Sequence, residues 1–159
     1  MINNTNIYII SMNANIKLLS LQKKNFNLKF KIFYRFRFHK DYLINNIDKK
    51  KYNKFESKKW FLKNHKKQII LSINYKKKNI GLIVYNLNNS FYSIIILKKY
   101  RNKNFGELAL KKFVTFLKKK KYKLFTLIKK NNLISNNFHK KFVKYKKNYN
   151  KEFYIAKII

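Results

Sequence analysis

The sequence predicts an α/β fold: one mixed, mostly antiparallel β-sheet with helices on both of its faces. Three observations predict it. Three β-rich runs, Gln68–Tyr75, Ile80–Leu87 and Phe91–Lys98, are joined by short polar turns at Lys76–Asn79 and Asn88–Ser90, the pattern of an antiparallel meander. The apolar period then changes to that of a helix between Phe105 and Lys119. Beyond it, strand and helix alternate to the last residue, so the meander continues into strand–helix units on the same sheet.

Each element has its own signal. Ile16–Gln22 (IKLLSLQ) alternates loosely and reads as the first strand. Between Asn25 and His65 the aromatic and aliphatic residues Phe30, Phe33, Tyr34, Tyr42, Leu43, Ile44, Ile47, Phe55, Trp60 and Phe61 suggest helices with aromatic faces. Ser57–Asn64 reads as a short helix that directs Trp60 and Phe61 inward. In the helix Phe105–Lys119, Phe105, Leu108, Ala109, Phe113, Phe116 and Leu117 share a face, with Lys111, Lys112, Thr115 and Lys118 opposite. Leu110 and Val114 widen the stripe, as in a helix covered on more than one side. A strand at Lys123–Ile128 follows. Then comes a helix over Asn132–Lys144, which Asn132 or Ser135 could cap, and a last strand, Glu152–Ile159. There is no internal repeat and no composition break. Residues 1–159 are expected to form a single domain, with 1–14 a loose N-terminal extension.

Composition bounds the function. Hydrophobic residues are 46% of the 159 and aromatics 18%, too apolar for a disordered chain. Cysteine is absent, which excludes disulfides, thiolate metal sites and a cysteine nucleophile. No carboxylate or H-x-x-x-H cluster suggests a metal. The formal charge is +35, from 40 basic and 5 acidic residues, a field that attracts any polyanion, RNA included. Yet 37 of those 40 are Lys and only three are Arg, the residue better suited to bidentate phosphate recognition. Lys, Asn, Ile, Phe and Tyr together make 109 residues, all with AT-rich codons, so genome bias accounts for much of the lysine. No apolar run is long enough to span a membrane, and Met1–Gln22 lacks a basic segment followed by a clean apolar one. A cytoplasmic location is expected.

The segment richest in chemistry runs from Ile94 to Leu117. A strand ends in the basic loop Lys98-Lys99-Tyr100-Arg101-Asn102-Lys103-Asn104-Phe105-Gly106, and a helix follows. The first N–H groups of a helix have no partner within it, and its dipole places partial positive charge there. Such a loop can hold a pyrophosphate on backbone amides, with Arg101 and Lys103 adding charge.

This stretch resembles the phosphate loop of the GNAT superfamily of acyl-CoA-dependent N-acyltransferases, Arg/Gln-x-x-Gly-x-Gly/Ala. Arg101 and Gly106 match it. Asn104 replaces the first glycine, and Asn is the non-glycine residue that best tolerates positive φ. Ile80-Gly81 is similar to the family's "IG" position. Ile128-Lys129-Lys130-Asn131-Asn132-Leu133-Ile134-Ser135 resembles its I-K-x-x-N-x-x-S. Phe33-Tyr34-Arg35-Phe36-Arg37 and Trp60-Phe61 sit where the branch acting on amino sugars and small amines has its first helix and W-F pair.

The resemblance implies acetyl-CoA as co-substrate, lying in a split between the fourth and fifth strands. Backbone groups of Ile96, Leu97 and Lys98 would pair with pantetheine, and Asn132 and Ser135 would lie beside it. The loop of Arg101, Asn102, Lys103, Asn104, Phe105 and Gly106 would hold the pyrophosphate. A primary amine, with that of a nucleotide-linked amino sugar as the narrower expectation, would attack the thioester directly. Many members carry a Tyr seven residues after the Asn; here that position is His139, and no acid or base is assigned. The alternative is a basic RNA-binding or ribosome-associated protein. A split between the two strands favours the enzyme, whereas a fully zipped sheet with a flat basic face favours RNA.

Overall fold

A computed structural model describes residues 16–22, 24–37 and 53–159. The elements are β1 (Ile16–Ser20), α1 (Phe26–Arg37), α2 (Lys54–Asn64), β2 (Gln68–Tyr75), β3 (Lys78–Asn86), β4 (Tyr92–Ile96), α3 (Phe105–Lys119), β5 (Phe125–Lys129), α4 (Leu133–Lys140), β6 (Tyr145–Asn148) and β7 (Phe153–Lys157). The expected extension 1–14 and the apolar residues Tyr42, Leu43, Ile44 and Ile47 lie outside the described residues.

The strands form a four-stranded antiparallel sheet, β1-β2-β3-β4, and a three-stranded antiparallel sheet, β5-β7-β6. One parallel bridge, Phe91 to Phe125, joins them. The meander places alternate side chains on opposite faces. Leu71, Ile73, Ile83, Tyr85 and Tyr92 face α3, which buries Ala109, Leu110, Phe113 and Leu117 against them. Ile70, Leu82 and Ile95 face the other way, onto Phe30, Phe33 and Phe36 of α1 and Phe61 of α2. The helices therefore lie on both faces, as the sequence predicted.

Local chemistry explains where the boundaries move. α2 starts at Lys54, earlier than the Ser57 expected, because Asn53 and Glu56 form a reciprocal capping box. The first hairpin turn is only two residues: Lys76 and Lys77 both adopt positive φ, and Tyr75 pairs directly with Lys78. Phe61 is buried as expected, but Trp60 is not; it is 37% exposed and stacks on Phe33 at 5.9 Å. Lys112, assigned to the solvated face of its helix, donates to the Ile16 carbonyl at 2.7 Å and ties α3 to β1. Partial burial lowers the pKa of its ammonium.

The last helix ends at Lys140, short of the Lys144 expected, where Phe142 and Val143 N–H groups close on the His139 carbonyl. The chain then forms β6, which the sequence reading missed. All four of its residues are exposed, and two are lysines on a sheet edge, so it carries no alternation to read.

Gly81 sets how closely β3 meets β4. A Cβ there would lie 2.5 Å from the Ile95 carbonyl oxygen and 2.7 Å from Ile96 Cδ1. Backbone cannot give way as a side chain can. Gly81→Ala is expected to destabilise the chain by about 1–3 kcal/mol, lowering the urea midpoint at unchanged m-value.

Candidate active site

β3 engages one edge of β4 only. Leu97 N–H donates to the Ile80 carbonyl, and Asn86 N–H to the Phe91 carbonyl. In an antiparallel ladder the intervening residues turn their amides to the other side. Tyr92, Ile94 and Ile96 thus present backbone groups toward β5. Near the bridge, Phe125 N–H donates to Ser90 and the Thr126 hydroxyl to the Tyr92 carbonyl at 3.3 Å. Past Phe91–Phe125, no strand pairs with this edge of β4 among the described residues. The strands are split, as the sequence reading required for an enzyme.

A cavity of about 960 Å³ occupies the split and reaches both faces of the sheet. On the α3 side it is lined by Tyr92, Ile96, Arg101, Asn102, Asn104, Phe105, Gly106, Asn132, Ser135, Phe138 and His139. On the α1 and α2 side it is lined by Phe33, Arg37, Trp60, Gln68, Val84 and Ser93. Eight of the eleven expected site residues meet at one cavity. Leu97, Lys98 and Lys103 are not among its walls.

The basic loop holds its shape without glycine at its turns. Asn102 and Asn104 both adopt φ of 57°, and Asn104 is the left-handed residue before α3. Its side chain does not cap the helix, in contrast to Asn25, Asn53 and Asn132, which accept from Leu28, Glu56 and Ser135 N–H. The opening N–H groups of α3 are therefore left uncapped by the Asn104 side chain, and Asn104, Phe105 and Gly106 line the cavity. Gly106 packs closely for a different reason: a Cβ would come within 3.2 Å of the Phe138 ring, which would have to give slightly, while Ile96 at 3.6 Å is ordinary contact. Arg101 anchors the loop by donating from Nε to the Ile96 carbonyl at 2.9 Å.

These contacts bear on the expected pantetheine strand. The Leu97 carbonyl accepts from Tyr100 N–H and the Lys98 carbonyl from Arg101 N–H, as well as the Leu97 N–H bond to Ile80. The edge turned to the split belongs to Ile94 and the Ile96 N–H. Sequence reading missed Ile94; the parity of the β3–β4 register was the signal. Asn132 caps α4 through its Oδ1, and Ser135 Oγ lies 3.1 Å from His139 Nδ1.

Among the described residues, three buried polar atoms have no hydrogen-bond partner: Gln68 Oε1, Tyr92 Oη and His139 Nε2. All three residues line the cavity. Other buried polar side chains, Ser57, Ser72 and Thr126, are bonded. His139 Nδ1 lies 2.8 Å from the Ser135 carbonyl oxygen, which can only accept, so Nδ1 carries the proton and Nε2 is a lone pair. Burial lowers the His139 pKa, opposed by that backbone bond. Burial raises the Tyr92 pKa, so its hydroxyl keeps its proton. Glu107 also lines the cavity, but Lys141 and Lys111 hold its carboxylate at 2.8 and 2.9 Å and keep its pKa below the usual value.

Residues 32–145 match the acetyltransferase (GNAT) family. The chain belongs to this family. GNAT enzymes take acetyl-CoA as co-substrate, and the chain is an acetyltransferase of that kind. The uncapped helix start, the positive-φ loop and the free strand edge fit that donor. No curated protein sequence matches the chain. Solved GNAT structures share the fold. The Salmonella typhimurium acetyltransferase that modifies the N-terminal serine of ribosomal protein L7/L12 is 12% identical, with TM-score 0.68 over 96% of this chain and 99% of that one. Campylobacter jejuni N-acetyltransferase PseH, bound to acetyl coenzyme A, is 17% identical, with TM-score 0.63 over 89% and 96%. Microcin C7 self-immunity acetyltransferase MccE, bound to acetyl-CoA and AMP, is 15% identical, with TM-score 0.63 over 92% and 94%.

Asn104→Gly is expected to keep both loop and donor affinity. Asn104→Val, β-branched at positive φ, should lose about 1–2 kcal/mol of stability and weaken acetyl-CoA binding, read by thermal melts and calorimetry. A second expectation concerns pH. With its folded pKa below 6.5, His139 stays neutral in the native state while the unfolded chain takes up a proton. Stability is therefore full above pH 6.5 and falls below it, by at most about 1.4 kcal/mol per pH unit, until the folded pKa is passed. Urea unfolding at pH 7.5, 6.5 and 5.5 should show this slope, flattened in His139→Gln.

Proposed function

We propose that the chain acetylates the primary amine of a small molecule, with a nucleotide-linked amino sugar as the finer reading. The observation that carries it is the cavity running through the split to both faces of the sheet. The donor enters from the α3 side, its pyrophosphate on the Arg101–Gly106 loop and its pantetheine along Ile94 and Ile96. The acceptor enters from the α1 and α2 side, over Phe33 and Trp60. The MccE complex with acetyl-CoA and AMP supports a nucleotide-bearing acceptor.

Acetyl-CoA supplies the activated acyl group: the amine nitrogen forms the new C–N bond, the C–S bond breaks, and CoA leaves as the thiol. Tyr92 keeps a hydroxyl donor ready for the carbonyl oxygen as negative charge develops there. His139 accepts the amine proton at Nε2 and returns it to the sulfur. Its burial keeps it neutral and able to accept at pH 7, and the acid limb of the rate profile lies below pH 6.5.

Isothermal titration with acetyl-CoA tests the donor site. Binding should be saturable and persist in roughly 0.3 M salt, where binding driven only by exposed charge is strongly screened. Tyr92→Phe should lower kcat by about 10²-fold with little change in acetyl-CoA affinity. It should also raise stability, by about 1 kcal/mol, because it removes a buried hydroxyl that has no partner. Binding lost with salt, as for a plain polyanion, would sink the donor site and favour RNA.

A further inference from the structure

The β5-β7-β6 sheet has two unlike faces. Thr126, Ile128 and Ala156 turn to one face and are buried. Residues paired across strands share a face. The other face therefore carries one row of Phe125, Lys157 and Tyr145 and a second row of Leu127, Ile155 and Lys147. Phe125, Leu127 and Ile155 are only half-buried and join neither of the two helix-packed cores. Tyr145 is 53% exposed, and Tyr149, one residue past β6, is 55% exposed. Tyr149 N–H donates to the Phe153 carbonyl, and its side chain lines the cavity with Leu127 and Phe153, where this face meets the opening.

Charge and aromatic surface coincide there. Lys144 to Lys157 holds five lysines and one acid, Glu152. The whole chain has five acidic residues. Two of them are engaged elsewhere, Glu107 with Lys111 and Lys141 and Glu56 in its capping box. The remaining three are too few to neutralise this segment wherever they lie. A second copy of the chain would bring like charges together, whereas a polyanion is attracted. Alternate residues of a strand lie about 6.6 Å apart on one face. Tyr145, Lys147 and Tyr149 thus set a ring, a charge and a ring in sequence over an apolar floor. Genome bias accounts for how many such residues the chain has, not for their placement on one face.

We propose that this open sheet face binds single-stranded RNA without sequence preference. Unpaired bases stack on Tyr145 and Tyr149, and Lys147 and Lys157 take the phosphates between them. Stacking is what separates this from the loose attraction that +35 exerts on any polyanion. The binding is additional to acetyl transfer and does not rest on it.

The full chain is titrated with a fluorescein-labelled oligouridylate of about 12 nucleotides, read by anisotropy in roughly 0.15 M salt. Inorganic polyphosphate, which has charge but no bases, and an RNA duplex of equal length are the competitors. The single strand should bind more tightly than the duplex. Tyr145→Ala and Tyr149→Ala should each weaken it about tenfold and leave polyphosphate binding unchanged. Lys147→Gln should lower the slope of log K against log salt by about 0.7. Both rings are exposed, so the melting temperature should hold in either variant. Tyr145 is not a wall of the cavity, so Tyr145→Ala should also keep acetyl-CoA affinity. Equal losses for RNA and polyphosphate, preference for the duplex, or displacement of the RNA by saturating acetyl-CoA would overturn the inference. Tyr145-dependent binding to vesicles of anionic phospholipid, or a Tyr145-dependent dimer, with the RNA left unbound would overturn it as well.

Discussion

Strands β4 and β5 run parallel, touch at Phe91 and Phe125, and then part. Each has its outer edge satisfied already, β4 by β3 and β5 by β7. Two well-paired sheets are thus hinged on one bridge, and the space between them is the site. Tyr85 and Tyr92 pack with α3 on one side of the hinge, and the Thr126 hydroxyl bonds across it. At the open end Phe138 of α4 meets Gly106 and Ile96, so the two helices that follow the parted strands close against one another there. Because the sheets do not zip, the Ile94 backbone is available, the loop at Arg101 faces the opening, and the aromatic wall of α1 and α2 communicates with the helix start of α3.

A closed sheet would bury the polar groups that line this opening only with partners. In the split they can remain single. Tyr92, His139 and Gln68 each withhold one atom from the internal hydrogen-bond network, whereas the other buried polar side chains among the described residues, Ser57, Ser72 and Thr126, are bonded. Concentration of that deficit at one cavity is the pattern expected where stability has been exchanged for function.

The Arg101–Gly106 loop shows how a backbone conformation survives composition drift. Its two left-handed positions are held by Asn102 and Asn104, the best available substitutes for glycine. Gly106 keeps the start of α3 close to Phe138, whose ring would have to shift by a few tenths of an ångström to admit a Cβ. The lysine excess weighs less on the site: Lys111 and Lys141 neutralise Glu107, Lys112 holds β1, and the loop is anchored by a guanidinium through a directed bond to Ile96.

The sequence by itself determined the meander, the helix Phe105–Lys119 and the strand–loop–helix at Arg101–Gly106, because each rests on local periodicity or on a residue's own backbone preference. Asn132 as a cap was legible for the same reason. It did not show β6, whose exposed edge has no alternation, and it placed a polar turn at Lys76–Asn79 without its two-residue form, since Lys76 and Lys77 are not residues that favour positive φ. Only the tertiary structure decided that Trp60 faces the cavity while Phe61 is buried, that Leu97 is paired while Ile94 faces the split, and that Gln68, Tyr92 and His139, distant in the chain, share one cavity. Those facts depend on register and on which element packs against which, and these are set by contacts between residues far apart in sequence.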